Sequence, residues 1–80
     1  MKAKVYVTLK KGVLDPQGKA VMGALKSMDF GEVSDVRVGK FMELELDGKK
    51  TKEEEERRLK VMCEKLLANT VIENYRIEIE

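Results

Sequence analysis

Residues Val33 to Asp47 carry an alternation of side chains that decides how many strands this chain can form. Gly39-Lys40 lies in the middle and has the composition of a two-residue hairpin turn. Parity argues against a turn there. A hairpin would pair Val38 with Phe41 and Val36 with Glu43, so that Val36 and Val38 would share a face with Glu43 and Glu45. If the chain runs on, Val36, Val38, Met42, Leu44 and Leu46 fall on one face, and Arg37, Glu43 and Glu45 on the other. A one-residue slip turns every side chain over, so the continuous reading is the better one. It predicts one strand of about a dozen residues, against the usual five or six, bent or bulged at Gly39. No first strand of ordinary length can cover it, so part of it should reach beyond its own domain.

The opening of the chain is a strand, a loop and a helix start in immediate succession. Val5, Val7 and Leu9 alternate with Tyr6, Thr8 and Lys10, the period of a half-buried strand. Gly12 breaks it. Asp15 is placed to cap a helix, and Pro16 then occupies the first helical position, where its missing N–H costs nothing. That helix is expected over Pro16 to Met28, with Ala20, Val21, Ala24, Leu25 and Met28 as its apolar stripe. Gly23 weakens it by roughly 0.5–1 kcal/mol relative to Ala. Gly31 should end the element, with Phe30 turned inward.

After the turn Asp47-Gly48-Lys49-Lys50, Thr51 and Glu54 have the spacing of a capping box. The second helix should run to about Ala68, with Leu59, Met62, Cys63, Leu66 and Leu67 buried. Glu53–Arg57, Glu54–Arg58 and Glu56–Lys60 are i,i+4 pairs in the favourable order. Asn69 suits a left-handed cap. Tyr75, Ile77 and Ile79 alternate through a last strand over about Ile72 to Glu80. The expected fold is α+β, a single domain over residues 1–80. It is a three-stranded antiparallel sheet in β-α-β-α-β order, with a long bent middle strand and two helices on one face, related to the ferredoxin-like folds.

The inventory of reactive groups is sparse. There is no histidine and no tryptophan, and Cys63 is the one cysteine, so no disulfide can form within the chain and no zinc site can be built. Ser27 and Ser34 have no histidine to activate them. Cys63 falls on the apolar stripe of the second helix, where an inert buried thiol is the common outcome. Glu53 to Glu56 read as a solvated helix start. Glu43 and Glu45 face away from the core, within reach of basic residues on a neighbouring strand. Gly12 and Gly18 flank a helix N-terminus, but Asp15 adds negative charge there and Pro16 removes a donor, which argues against an anion site. No residue is assigned a catalytic, cofactor or metal role.

Charged residues make up 39% of the chain, yet the net charge is only +1, so no field recruits nucleic acid or an anionic membrane. Lys10, Lys11, Lys49, Lys50 and Lys52 with only Tyr6 and Phe41 near them are weak grounds for an RNA-binding sheet. The start, Met1-Lys2-Ala3-Lys4, leads straight into a strand with no apolar leader, and cytoplasmic residence is expected. What stands out is the back of the sheet, where Tyr6, Thr8 and Phe41 face away from the helices. Aromatics there, with an overlong strand, point to a protein interface. Its candidate residues are Tyr6, Gly39, Lys40 and Phe41, with Lys40 reaching towards a partner's carboxylate.

The wording of the opening, Val5-x-Val7-x-Leu9-Lys10-x-Gly12-Val13-Leu14-Asp15-Pro16-Gln17-Gly18, resembles that of the PurS family. So do Val36-Arg37-Val38-Gly39-Lys40 with Glu43-Leu44 and Leu46, and Met62-Cys63-Glu64-Lys65-Leu66-Leu67-Ala68-Asn69 with Val71-Ile72-Glu73. Two positions depart from it: Asp29 stands where the family often has Gly, and Thr70 where it often has Pro. The resemblance implies the small, non-catalytic subunit of phosphoribosylformylglycinamidine synthase, which makes an amidine from formylglycinamide ribonucleotide with ATP and glutamine. ATP and Mg would then bind the large synthetase subunit, and a glutaminase subunit would release ammonia. This chain would form a dimer or tetramer and bridge those two. The rival readings are a small metabolite-binding regulatory domain, marked by saturable ligand binding without partners, and a nucleic-acid module, marked by salt-dependent RNA binding.

Overall fold

A central strand, β1 (Lys2–Leu9), organises the molecule, which is described by a computed structural model of residues 1–80. β2 (Gly39–Glu45) and β3 (Glu73–Ile79) flank it, both antiparallel, in the order β2-β1-β3. Having neighbours on both sides, β1 is also the most buried strand: Ala3, Val5 and Val7 are sealed, while the edge strands are only half-buried on the same face.

The parity argument holds along the middle segment. Half-buried Val36, Val38, Met42, Leu44 and Leu46 alternate with exposed Arg37, Phe41, Glu43 and Glu45. Gly39 pairs with Thr8, so there is no hairpin at Gly39-Lys40. The ladder begins only at Gly39, however, and residues 32–38 run on towards it without a strand partner. The long strand is thus a seven-residue strand preceded by an unpaired arm. Its register is one-to-one from Thr8–Gly39 to Lys2–Glu45, with no bulge. Glycine is needed at 39 for another reason: a Cβ there would lie 2.2 Å from the Val7 carbonyl oxygen.

α2 (Lys52–Met62) covers the apolar face of the sheet. Thr51 caps it, its Oγ1 accepting the Glu54 N–H at 3.2 Å. The inner line is Glu55, Leu59 and Cys63, at i, i+4 and i+8. Glu55 corrects the reading of the acidic run as wholly solvated, being only 4% exposed. From Cys63 to Leu67 the helix widens into a π turn, in which the Ala68 N–H reaches the Cys63 carbonyl at 3.0 Å. An i→i+5 turn advances the register by an extra residue. Ala68 is thereby buried and Leu66, expected inside, is 82% exposed. Asn69 is not left-handed. Its side chain accepts the Val71 N–H at 3.2 Å, and its carbonyl takes the Ile72 and Glu73 N–H groups.

α1 (Pro16–Ser27) starts as expected, with the Asp15 carboxylate accepting the Gly18 N–H at 2.9 Å. It ends in a Schellman motif: Phe30 N–H to Leu25 O at 3.0 Å and Asp29 N–H to Lys26 O at 3.2 Å. The left-handed residue of that motif is Asp29, at φ 70°, not Gly31. α1 makes no close packing against the strands, unlike α2. It meets the arm at Gly18, where a Cβ would lie 2.2 Å from the Val36 carbonyl oxygen. Its expected stripe is largely uncovered: Val21 is 42% and Met28 65% exposed, and Ala20, Ala24 and Phe30 are also in solvent. Only Gly18 is buried, with Met22 and Leu25 half-buried.

The molecule is accordingly drawn out, 50 × 24 × 14 Å with a radius of gyration of 16.0 Å. A compact chain of this length has a radius of gyration of about 12 Å.

Candidate interaction surfaces

The back of the sheet is built by the odd–even alternation of three strands. Register sets Tyr6 of β1 between Phe41 of β2 and Arg76 of β3. The Tyr6 and Phe41 rings are 5.0 Å apart, tilted by 35°, and the Arg76 guanidinium sits 4.2 Å over the Tyr6 ring. The Tyr6 hydroxyl donates to Glu78 Oε2 at 3.3 Å, and Arg76 also pairs with Glu78. Towards the chain termini the same face continues as ion pairs, Lys2–Glu43 at 3.1 Å and Lys4–Glu80 at 2.5 Å. The bond and charge of Glu43 raise the Lys2 pKa above its ordinary value. Lys4 is raised by Glu80, whose own carboxyl is lowered in return. Glu43 thus does pair with a basic residue on the next strand.

Of the four candidate interface residues, Tyr6 is therefore half-buried and engaged within its own chain, while Phe41 keeps half its surface in solvent. Gly39 marks the start of the β1–β2 ladder. Lys40 lies on the opposite face, by parity, and its carboxylate partner is in its own chain: Glu73 Oε2 at 3.7 Å. Glu73 also accepts the Asn69 N–H at 2.6 Å, so one carboxylate ties β2, β3 and the loop after α2 together. The structure does not gather all four residues into one patch.

A second surface was not anticipated. Two contacts hold α1 and the arm to the end of the sheet. Asp15 accepts the Gly18 N–H on one oxygen and the Val38 N–H on the other, both at 2.9 Å. These two backbone bonds hold its carboxyl below the ordinary range. Arg37 donates to the carbonyls of Leu9, the last residue of β1, and of Lys10 just after it. Beyond these ties the exposed apolar side of α1 stands free. The signal that could have exposed it was in the sequence: an apolar stripe with no partner to lie on once the middle strand outran β1.

Cys63 is buried, and that burial pushes its thiol up. No group of three or more metal-ligating side chains is close enough to hold an ion. No helix is long and apolar enough to cross a membrane.

Comparison with known proteins resolves the family. Residues 2–80 match the PurS family, described as phosphoribosylformylglycinamidine (FGAM) synthase. The PurS subunit of that synthase from Bacillus subtilis (strain 168) is 60% identical over 79 residues, 99% of this chain and 92% of the relative. Among solved structures, PurS of Methanocaldococcus jannaschii, a subunit of formylglycinamide ribonucleotide amidotransferase in the purine biosynthetic pathway, superposes with a TM-score of 0.87. It is 38% identical, with 99% of this chain and 94% of that one covered. A chain of PurLQS from Thermotoga maritima gives 0.86 at 31% identity, covering 96% and 93%. The chain belongs to the PurS family and is a subunit of phosphoribosylformylglycinamidine synthase of purine biosynthesis.

Proposed function

We propose that this PurS chain serves the synthase by binding, not by chemistry. As a homo-oligomer, it joins the large synthetase subunit, where ATP and Mg bind, to the glutaminase subunit, in the cytoplasm. One observation carries the reading. The isolated chain exposes 5863 Å², whereas a compact monomer of this mass exposes about 4900 Å². The excess is on the order of 1000 Å², comparable to one partner's share of a standard interface, about 800 Å². It follows from the geometry described above: α1 and the arm extend beyond the sheet with apolar side chains in solvent. Such a surface supports a subunit whose fold is completed by association.

Light scattering coupled to size exclusion tests the first half. A mass of at least two chains is expected at micromolar concentration, and 9.1 kDa would refute it. Reconstitution tests the second. With the large and glutaminase subunits present, glutamine-dependent synthesis should require this chain, while ammonia-dependent synthesis should proceed without it. Full glutamine-dependent synthesis in its absence would overturn the bridging role.

A further inference from the structure

Two parts of the chain carry opposite charges that the chain itself leaves unsatisfied. Residues 28–35, leading from α1 into the arm, include Asp29, Glu32 and Asp35 and no lysine or arginine. All three acids are exposed and none takes part in an ion pair. Met28 and Phe30 stand among them with apolar surface in solvent. The outer side of α2 shows the reverse pattern. Lys50, Arg57 and Arg58 converge with Glu54 on an open cleft of about 420 Å³ that ends at Val61 and Met62.

None of the three cations is ion-paired either. The i,i+4 pairs expected along α2, Glu53–Arg57, Glu54–Arg58 and Glu56–Lys60, do not form, although their spacing suits them. A cleft with an excess of positive charge and an apolar end matches an acidic segment with apolar neighbours.

We infer that the acidic arm of one copy docks in the α2 cleft of a second copy, and that the second copy returns the contact. This rests on the self-association proposed above and names the surface that makes it. Reciprocal exchange makes each contact twice and closes the assembly with two-fold symmetry. The helix α1 itself is the wrong occupant, because its only charges, Lys19 and Lys26, have the sign of the cleft. The acids of the sheet's back face are also poor candidates, since Glu43, Glu45, Glu78 and Glu80 already have partners of their own.

Charge exchange tests this in the full chain. Arg57→Glu/Arg58→Glu makes the cleft repel the arm; Glu32→Lys/Asp35→Lys makes the arm repel the cleft. Each double variant alone should show at least a tenfold weaker self-association by sedimentation equilibrium, with the far-UV spectrum unchanged. Mixed in equal amounts, the two should recover it. In the mixed pair an unaltered arm meets an unaltered cleft at one contact, and the reversed arm meets the reversed cleft at the other. Rising salt should weaken the wild-type association.

Wild-type association in both variants would overturn the inference while leaving self-association standing. Weakening without recovery on mixing would also overturn it. So would normal self-association of the cleft variant with loss of binding to the large or glutaminase subunit, which would assign the cleft to that subunit. A monomeric wild type is a different result, and refutes the self-association reading itself.

Discussion

The two helices begin with equally good caps and carry similar apolar stripes, yet they end in opposite circumstances. α2 lies on the sheet and seals Leu59 and Cys63 completely. α1 meets the rest of the chain at Gly18 and leaves Val21 and Met28 in solvent. The difference is set by the strands. α2 joins β2 to β3, which run parallel on opposite sides of β1, so the connection must cross back over the sheet. α1 joins the adjacent antiparallel strands β1 and β2 and need not cross it. The segment after α1 enters the ladder only at Gly39, so α1 is carried out along the arm. Local sequence makes both helices; what lies opposite each stripe decides whether it becomes core or contact surface.

The largest test of this contrast compares one apolar residue from each region, buried Leu59 and exposed Met28. Leu59→Ala should cost about 2–5 kcal/mol, lowering Tm by well over 8 °C in a domain this small. Met28→Ala should cost no more than about 0.5 kcal/mol in dilute solution, and any further loss should depend on protein concentration. Urea titrations at two concentrations measure both. A concentration-independent loss for Met28→Ala as large as that of Leu59→Ala would break the comparison.

The glycines give the next test. A Cβ at Gly39 or at Gly18 meets a backbone carbonyl at 2.2 Å. Gly39→Ala should therefore loosen the β1–β2 ladder and cost about 1–3 kcal/mol globally. Gly18→Ala should separate α1 from the arm. Amide exchange should speed up in α1 and leave β1 protected. Equal loss of protection throughout would show the two regions to be one cooperative unit.

Most of the element order was legible in the sequence because it rests on period. Parity of Val36, Val38, Met42, Leu44 and Leu46 excluded a hairpin, and the Asp15-Pro16 cap placed α1 to within a residue at its start. Three things were not legible, each for a physical reason. The π turn at Cys63 depends on how α2 packs, and only its shift of register puts Leu66 outside. The need for Gly39 comes from a carbonyl on another strand, not from a bend in its own. Lys40 found Glu73, 33 positions away in the chain, through a register that no local pattern reports. The candidate surface was read as the back of the sheet, where Tyr6 is already engaged by Arg76 and Glu78. Phe41 keeps half its surface in solvent there, and a further exposed apolar surface lies with α1, whose stripe has no covering partner within the chain.

Asp15 is the joint between the regions, and its titration should act on one of them only. Its carboxyl is held below the ordinary range by the Gly18 and Val38 N–H groups. A depressed carboxyl adds stability above its unfolded pKa and loses it as pH falls through the folded value. Attachment of α1 should thus be unchanged at pH 5 and weaken progressively as pH drops below about 4. Exchange rates of the Gly18 and Val38 amides follow it. Asp15→Asn should remove most of that pH dependence. A profile identical to that of the wild type would place the titration elsewhere.

A small effect is expected at Asp29, and it has the opposite sign. Its φ of 70° is the conformation that ends α1 in the Schellman motif, and side chains with a Cβ are strained there. Glycine adopts it freely but brings more freedom to the unfolded chain. Relief of the left-handed strain outweighs that entropy, so Asp29→Gly should stabilise by a net of about 0.5–1 kcal/mol. The gain should appear as slower exchange of the Phe30 amide, which bonds to Leu25, and hardly at all in β1. The substitution also removes one acid from the acidic segment 28–35 that leads into the arm. If the arm docks in the α2 cleft of a second copy, the variant should be slightly more stable as a monomer and slightly weaker in self-association. A variant that gains in both would separate the end of α1 from the docking surface, leaving Glu32 and Asp35 as the acids that matter.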